Sequence, residues 1–296
     1  MWSVIFVFKK EIFLKQEIKK MVTIALNEDL ADSDWFSHDI SSNLIDVTQY
    51  DRADIVAKEK GIFCGQLWVD CIVVLFDNSI KIEWFVQDKE TFEAGKVLFS
   101  LYGKTKHLLT IERTILNFVQ LLSGVATKTH EYVKLIEHTK ANILDTRKTI
   151  PGFRYGQKYA VFCGGGVNHR FGLYDAYLLK ENHLFATGGI SKAVAYIRQS
   201  TQHRDIFIEV EVETLAELEE ALAEDIDRVM LDNFTFEDIN KAVSLKNSLN
   251  STISLEVSGN VNKDNIVLLA ETGVDFISVG DITKNNSAID LSMRLQ

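Results

Sequence analysis

The apolar residues change their period along this chain, and the changes mark its elements. From about Phe13 to Leu26 they recur at three- and four-residue steps, the spacing of a helix with one buried face. Residues 53 to 59, ADIVAKE, and 80 to 86, IKIEWFV, alternate instead and predict half-buried strands. GQLWVDCIVVLF between them is apolar without a settled period and suits either a helix or a buried strand. Residues 104 to 140 then carry two long helical patterns, broken near Ser123-Gly124.

The second half has another rhythm. NILDT (142 to 146), AYLLK (176 to 180), IFIEVEV (206 to 212), DRVMLD (227 to 232), ISLEVSG (253 to 259) and VDFISVG (274 to 280) read as strands. SKAVAYIRQS, ETLAELEEALAE, TFEDINKAVSLKNSL and NKDNIVLLAETG lie between the later ones and read as amphipathic helices. Apolar strands alternating with helices imply parallel βαβ units, and six at this spacing favour an α/β barrel, complete or open, over a doubly wound sheet. The 296 residues suit about two domains.

What ends each strand carries the chemistry. The C-terminal ends offer Asp145-Thr-Arg147-Lys148, Lys180-Glu-Asn, Glu211, Asp232-Asn, Ser258-Gly259 and Gly280-Asp281. In such barrels the C-terminal rim is where active sites are built. Strand ends are often polar merely because loops follow. Six together, cations from early strands and carboxylates from late ones, exceed that explanation.

Charge sharpens the picture. The chain carries 32 basic and 42 acidic residues, a formal net of −10, which argues against nucleic-acid partners and anionic membrane surfaces. Within residues 146 to 183, however, Arg147, Lys148, Arg154, Lys158, Arg170 and Lys180 face only Asp175 and Glu181, a local net of +4. That concentration, with His169 and His183 in it, fits a small polyanionic ligand. Arg suits planar carboxylates, and Lys suits phosphate.

Glu211 and Asp232 end consecutive strands and are positioned to share a divalent cation, Mg²⁺ rather than zinc by their hard oxygens. Glu209 shares the strand face of Glu211, so either can be the ligand. Ser258-Gly259-Asn260 and Ser278-Val-Gly280-Asp281 resemble late-strand phosphate loops. The run CGGGVNHR (163 to 170) lacks the spacing of a dinucleotide loop or P-loop, and no strand-turn-helix elbow frames Cys163 as a nucleophile. Three cysteines without paired metal spacing, Cys64, Cys71 and Cys163, read as reduced thiols of a cytoplasmic protein. The opening MWSVIFVF does not read as a signal peptide, and no stretch approaches the roughly 20 apolar residues of a membrane span.

DTRKTIPGFRYGQKYAVFCGGGVNHRFGLYDAYLLKENH closely resembles the signature of the quinolinate phosphoribosyltransferase family. The resemblance extends to ADIVAKEKGIFCG, LLTIERTILNFVQLLSGVAT, IEVEVETLAE, VMLDNF and LEVSGN, most of the chain from about residue 20. It implies an N-terminal α/β sandwich, residues 1–122 with the C-terminal segment returning to it, and a C-terminal open α/β barrel, residues 123–296, carrying the active site. It implies transfer of phosphoribosyl from phosphoribosyl pyrophosphate to quinolinate with decarboxylation and Mg²⁺, in a homodimer or a larger assembly. The alternatives are a paralogue with another aromatic acid or base as acceptor, and a silent phosphate-binding paralogue.

By position, the resemblance assigns quinolinate binding to Arg147, His169, Arg170 and Lys180, with Arg113 arriving from the partner subunit. Lys148 faces phosphoribosyl pyrophosphate, Glu211 and Asp232 hold the metal and ribose side, and Ser258, Gly259 and Gly280 cradle the 5′-phosphate. Lys148, Glu211 and Asp232 are the catalytic set. Two departures stand out. LADSDWFSHDIS replaces a Gly-x-Gly-Asp-x-Thr pattern, and DITKN after Gly280 puts Lys284 where a phosphate-facing His is expected.

Overall fold

The structure is a computed structural model that describes residues 11–31, 35–200, 202 and 205–296. The MWSVIFVF run and residues 32–34 of LADSDWFSHDIS lie outside the described residues. The chain divides into two compact units, one made of the residues up to His130, Thr149–Gly165 and Ile282–Gln296, the other of Glu131–Lys148 and Gly166–Asp281.

The first unit is built on an antiparallel sheet of β1 (Tyr50–Ala57), β3 (Lys81–Trp84), β5 (Val97–Lys104) and β12 (Leu291–Leu295), in the order β12-β1-β5-β3. A separate pair, β2 (Gly61–Ile62) and β4 (Thr91–Phe92), is also antiparallel. The unit's helices are α1 (Glu11–Leu30), α2 (Gln66–Phe76), most of α3 (Thr105–Leu135), α4 (Arg154–Cys163) and the short α10 (Asp281–Lys284). Their apolar faces bury Val22, Leu26, Trp68, Ile72, Ile111 and Ile115. Trp84 and Phe99 pack with ring centroids 4.7 Å apart, and Phe63 lies 5.9 Å from Trp84. Each fully buried side chain of this size contributes about 1.5–3 kcal/mol. GQLWVDCIVVLF is thus a helix from Gln66 onward, closed by Asp77, whose amide bonds back to Val73.

The break expected near Ser123-Gly124 is absent, and α3 runs unbroken over 31 residues. Gly124 is there for close approach rather than as a breaker, because a Cβ would sit 1.9 Å from the Ser287 carbonyl oxygen. Ser123 is buried and its hydroxyl receives the Cys64 amide at 3.1 Å. The expected boundary between residues 122 and 123 falls inside this helix. Contrary to the reading that no stretch suits a membrane, α3 is long and apolar enough to cross one by length and composition, yet 67% of the relevant window is buried, as in a core helix. In the divergent segment, Asp39 accepts the Ser42 amide at 3.0 Å and the Thr110 hydroxyl at 2.9 Å, so the turn is tied to α3.

The second unit is a parallel sheet of six strands, β6 (Asn142–Leu144), β7 (Tyr177–Leu179), β8 (Ile208–Val212), β9 (Arg228–Asp232), β10 (Ser254–Ser258) and β11 (Phe276–Ser278). Its order is β6-β11-β10-β9-β8-β7, so the last strand returns to the first. The gap is between β6 and β7, where Val167 alone bridges to Leu144. The barrel is therefore open at one seam. Helices α5 (Glu181–Thr187), α6 (Ile190–Gln199), α7 (Leu215–Leu222), α8 (Phe236–Ser248) and α9 (Ile266–Glu271) connect the strands. Thr214 and Glu217 form a capping box on α7, and the Thr235 hydroxyl caps α8 by receiving the Asp238 amide. Such caps contribute about 1 kcal/mol each.

Strand alternation sorts the barrel. Ile208, Val210 and Val212 of β8, Val229 and Leu231 of β9, and Leu255 and Val257 of β10 form the apolar set, all buried. The opposite positions are Glu209 and Glu211, Arg228, Met230 and Asp232, and Glu256 and Ser258. The barrel interior is thus unusually polar for a packed core.

Candidate active site

The upper members of that polar set open into a cavity of about 550 Å³. It is lined by Thr146, Arg147 and Lys148 after β6, His169 and Arg170, Leu178 and Lys180 of the β7 end, Glu211 of β8, and Met230, Asp232 and Asn233 of the β9 end. Ser258, Gly259 and Asn260 after β10 and Ser278 of β11 complete it. Each strand has delivered its C-terminal end to one place, as parallel barrels do.

The CGGGVNHR run reaches the cavity by a tight path. Gly164 leaves no room for a side chain, since a Cβ would lie 2.3 Å from the Ala126 carbonyl oxygen, and Gly165 turns the chain at φ +90°. Val167 then joins β6, its amide donating to Ile143 at 2.8 Å. Asp145, fully buried, accepts the Asn168 side-chain amide at 2.6 Å and the His169 backbone amide at 2.9 Å. The two cationic segments, Arg147-Lys148 and His169-Arg170, are thereby locked to each other. Asp175 closes the following loop by accepting the Phe171 and Gly172 amides at 2.7 and 2.9 Å.

Cations crowd this side. Arg170 donates to the Ala176 carbonyl at 3.2 Å, while its Nε is buried with no hydrogen-bond partner among the described residues. Burial lowers its pKa, and the Arg147 charge adds to that. Lys180 pairs with Glu211. His169 lies between the cationic and the carboxylate sides. Its Nδ1 receives the Arg170 amide at 2.7 Å, and Nε2 lies 2.9 Å from Glu209 Oε2.

The carboxylate side is at β8 and β9. Glu211 lines the cavity, whereas Glu209 is 1% exposed and lies below it, so the two residues on one strand face are separated by depth. Asp232 accepts the Asn233 side-chain amide at 2.9 Å. Asn233 takes a left-handed φ of +55° and its amide donates to the Ser258 carbonyl. This folds the β9 loop against Gly259, whose φ is +103° and whose missing Cβ would meet Asn233 Oδ1 at 2.2 Å and its backbone nitrogen at 3.1 Å. Gly259→Ala is therefore expected to displace both loops, costing about 1–3 kcal/mol in strain and visible as a lowered Tm. An unchanged Tm together with unchanged ligand affinity would show that the contact is dispensable.

Residues 39–123 match the family described as quinolinate phosphoribosyl transferase, N-terminal domain, and residues 125–294 match its C-terminal domain. The chain belongs to the quinolinate phosphoribosyltransferase family. A probable nicotinate-nucleotide pyrophosphorylase (carboxylating) of Bacillus subtilis (strain 168) is 37% identical over 277 residues, covering 94% of this chain and 93% of the relative. Quinolinate phosphoribosyltransferase (decarboxylating) 1 of Nicotiana glauca is 35% identical over 294 residues, covering 94% and 82%. The solved nicotinate-nucleotide pyrophosphorylase from Francisella tularensis superposes with a TM-score of 0.89 at 47% identity, covering 95% of this chain and 97% of that one.

Of the site residues expected from the sequence, nine line the cavity of this family member: Arg147, Lys148, His169, Arg170, Lys180, Glu211, Asp232, Ser258 and Gly259. Gly280 lies beside it, where a Cβ would come within 3.2 Å of the Lys148 side chain. Arg113 and Lys284 are exposed, belong to the first unit, and are not among the lining residues. Asn260 and Ser278, of the two loops read as phosphate-binding, line the cavity too, whereas Thr146, Leu178, Met230 and Asn233 line it without having been given a role there. The signal for Thr146 and Asn233 was position alone, each lying next to a chosen residue just beyond a strand end.

Proposed function

We propose that this cavity joins quinolinate to phosphoribosyl pyrophosphate and releases pyrophosphate and CO₂, leaving nicotinate mononucleotide for NAD synthesis. The observation that carries this reading is the adjacency of Arg147 and Arg170 in one cavity, with Arg170 Nε buried and unbonded. Two guanidiniums that raise each other's electrostatic cost call for a ligand with more than one negative charge. A pyridine dicarboxylate meets that need.

In this reading Arg147, Arg170 and Lys180 hold the acceptor's carboxylates, with His169 in the wall behind them. The ring nitrogen attacks the anomeric carbon as pyrophosphate departs, so positive charge builds on the ribose. Glu211 and Asp232 end adjacent strands and stabilise that charge, while Lys148 offsets charge on the departing pyrophosphate. The ribosylated ring nitrogen is then a cation that draws in the electron pair left as CO₂ departs, and a proton replaces the carboxylate. The protein's part in that step is to hold and desolvate the acid.

Glu211 and Asp232 would also hold Mg²⁺, which supplies charge neutralisation on the pyrophosphate oxygens when bound. The donor set fits, since Mg²⁺ takes one or two protein carboxylates and completes its shell with substrate phosphate and water. Among the described residues the close groups of three metal-binding side chains lie elsewhere, at Cys64–Asp88–Cys163 and His169–Glu209–Glu256. In the first, Asp88 is occupied by the amides of Gly65 and Gln66 and by the Tyr159 hydroxyl. In the second, Arg228 already supplies a cation.

Arg113, exposed on α3, would complete the site from a second copy in a homodimer. Ser258 and Gly259 with Gly280 would bind the 5′-phosphate. A pyrophosphate-release assay with quinolinate and then nicotinate tests the whole. Each cation left unpaired by the monocarboxylate should cost about 1–3 kcal/mol, roughly 5- to 150-fold in kcat/KM. Comparable values for the two acids would sink the reading.

A further inference from the structure

The floor of the barrel holds charges that the reaction above does not use. Glu209 of β8, Arg228 of β9 and Glu256 of β10 are 1%, 9% and 0% exposed. Arg228 Nη1 donates to Glu256 Oε2 at 2.9 Å, and the Ser278 hydroxyl of β11 donates to Glu256 Oε1. The guanidinium is fixed over the Phe276 ring, 4.0 Å from its centroid. Apolar side chains of similar volume would generally stabilise a fold as well as such a network or better. A buried ionic cluster under a binding cavity therefore invites a functional reason.

Its outlet is His169. Of the charged members of the cluster only His169 lines the cavity. Nε2 lies 2.9 Å from Glu209 Oε2 and 3.7 Å from Glu256 Oε2. On the other edge, Nδ1 receives the Arg170 amide at 2.7 Å. One buried carboxylate thus anchors a ring, and that ring anchors the peptide that carries the half-bonded arginine.

We propose that Glu209 is a positioning residue for the acceptor acid, acting through His169 to fix the imidazole and the Arg170 backbone against the cavity wall. The proposal rests on the reading of the cavity as a dicarboxylate site. Electrostatics agree with it. Burial lowers the His169 pKa, but the Glu209 and Glu256 carboxylates raise it and prevail. Burial and then Glu209 push Glu256 upward. The Arg170 amide at Nδ1 opposes a second ring proton, so the proton that faces Glu209 on Nε2 is the one the cluster secures. Asp145 holds the His169 backbone from the β6 side and Arg228 opposes the ring's charge from β9.

The test is a double-mutant cycle in the full chain. Glu209→Gln is made in the wild-type and His169→Ala backgrounds, with KM for quinolinate, KM for phosphoribosyl pyrophosphate and kcat measured for each. Glu209→Gln is expected to raise KM for quinolinate about tenfold in the wild type and to have no further effect in His169→Ala, because residues acting as one unit are not additive. Equal effects in both backgrounds, or an unchanged KM, overturn the proposal. The His169 ring, followed by ¹⁵N NMR without substrate, should titrate at lower pH in Glu209→Gln, since an anionic partner has been removed. An unmoved midpoint also overturns it. Should Glu209→Gln not fold, Glu209→Asp, which withdraws the carboxylate while keeping its charge, runs the same cycle with the same KM criteria. A wild-type chain inactive on quinolinate would reject the dicarboxylate reading, and the NMR arm would still decide whether Glu209 governs His169.

Discussion

Asp232→Asn is expected to fold as the wild type does and to lose roughly a hundredfold or more of its turnover. The structural side of this expectation is that, among the described residues, Asp232 Oδ2 accepts the Asn233 side-chain amide at 2.9 Å. An asparagine carbonyl oxygen can accept that bond, so the left-handed turn at Asn233 and the packing on Gly259 survive. What the amide cannot supply is negative charge beside a ribose carbon that is losing its leaving group, or a ligand for the cation that accompanies pyrophosphate. A thermal melt and a single-turnover measurement at saturating substrates separate the two sides. A normal melt with unchanged turnover, even at limiting Mg²⁺, would make Asp232 a structural residue and move the ribose-facing role to Glu211 alone.

Arg113→Ala and Lys148→Ala should each be nearly inactive, and mixing them should restore activity. Arg113 is exposed on α3, a helix whose other faces are committed to the core by Ile111, Ile115 and Leu116. Nothing among the lining residues of the cavity takes its place as a further arginine beyond Arg147 and Arg170. If it serves the cavity of a second copy, each site combines Arg113 from one chain with Lys148 from the other. Loss of one charge-assisted contact is then about 1.5–3 kcal/mol, tenfold or more in rate. After subunit exchange at equal concentrations about half the dimers are hybrid, and each hybrid has one intact site, so about a quarter of wild-type activity returns. Verified hybrids as inactive as their parents would mean that Arg113 acts within its own chain or is structural, and the shared site would be abandoned.

The sequence made the rim of the barrel legible because each parallel strand is a short, largely apolar run with polar residues at or just beyond its C-terminal end, and the rim is where those residues meet. Depth was not legible. Glu209 and Glu211 share a strand face by period two, and only the ladder, which pairs Glu209 with Arg228 and Glu211 with Met230, shows that one belongs to the floor and the other to the cavity. The floor had a signal that passed unread, since Glu209 sits between Ile208 and Val210 and Glu256 between Leu255 and Val257. A charge enclosed by buried apolar neighbours needs a partner from elsewhere in the fold, and here Glu209 faces His169 and Glu256 meets Arg228. Ser123-Gly124 failed for the opposite reason. A helix tolerates glycine at about 1 kcal/mol, and the tight fit against Ser287 lies 163 residues further along the chain, beyond the reach of local pattern.

The last strand has a consequence for how the chain comes to be folded. β12 pairs in register with β1, Leu295 opposite Ala53 and Leu291 opposite Ala57, so the first sheet takes one edge from residues synthesised more than 230 positions after its neighbour. All six barrel strands precede β12 in the chain and are available before it. During synthesis from the N-terminus, the unit begun first is therefore the one finished last. Until residue 295 has emerged, β1 presents an unpaired strand edge, the kind of surface that recruits wrong partners. Closing so distant a pairing is entropically slow, which makes the final five-residue strand the latch of the N-terminal sheet.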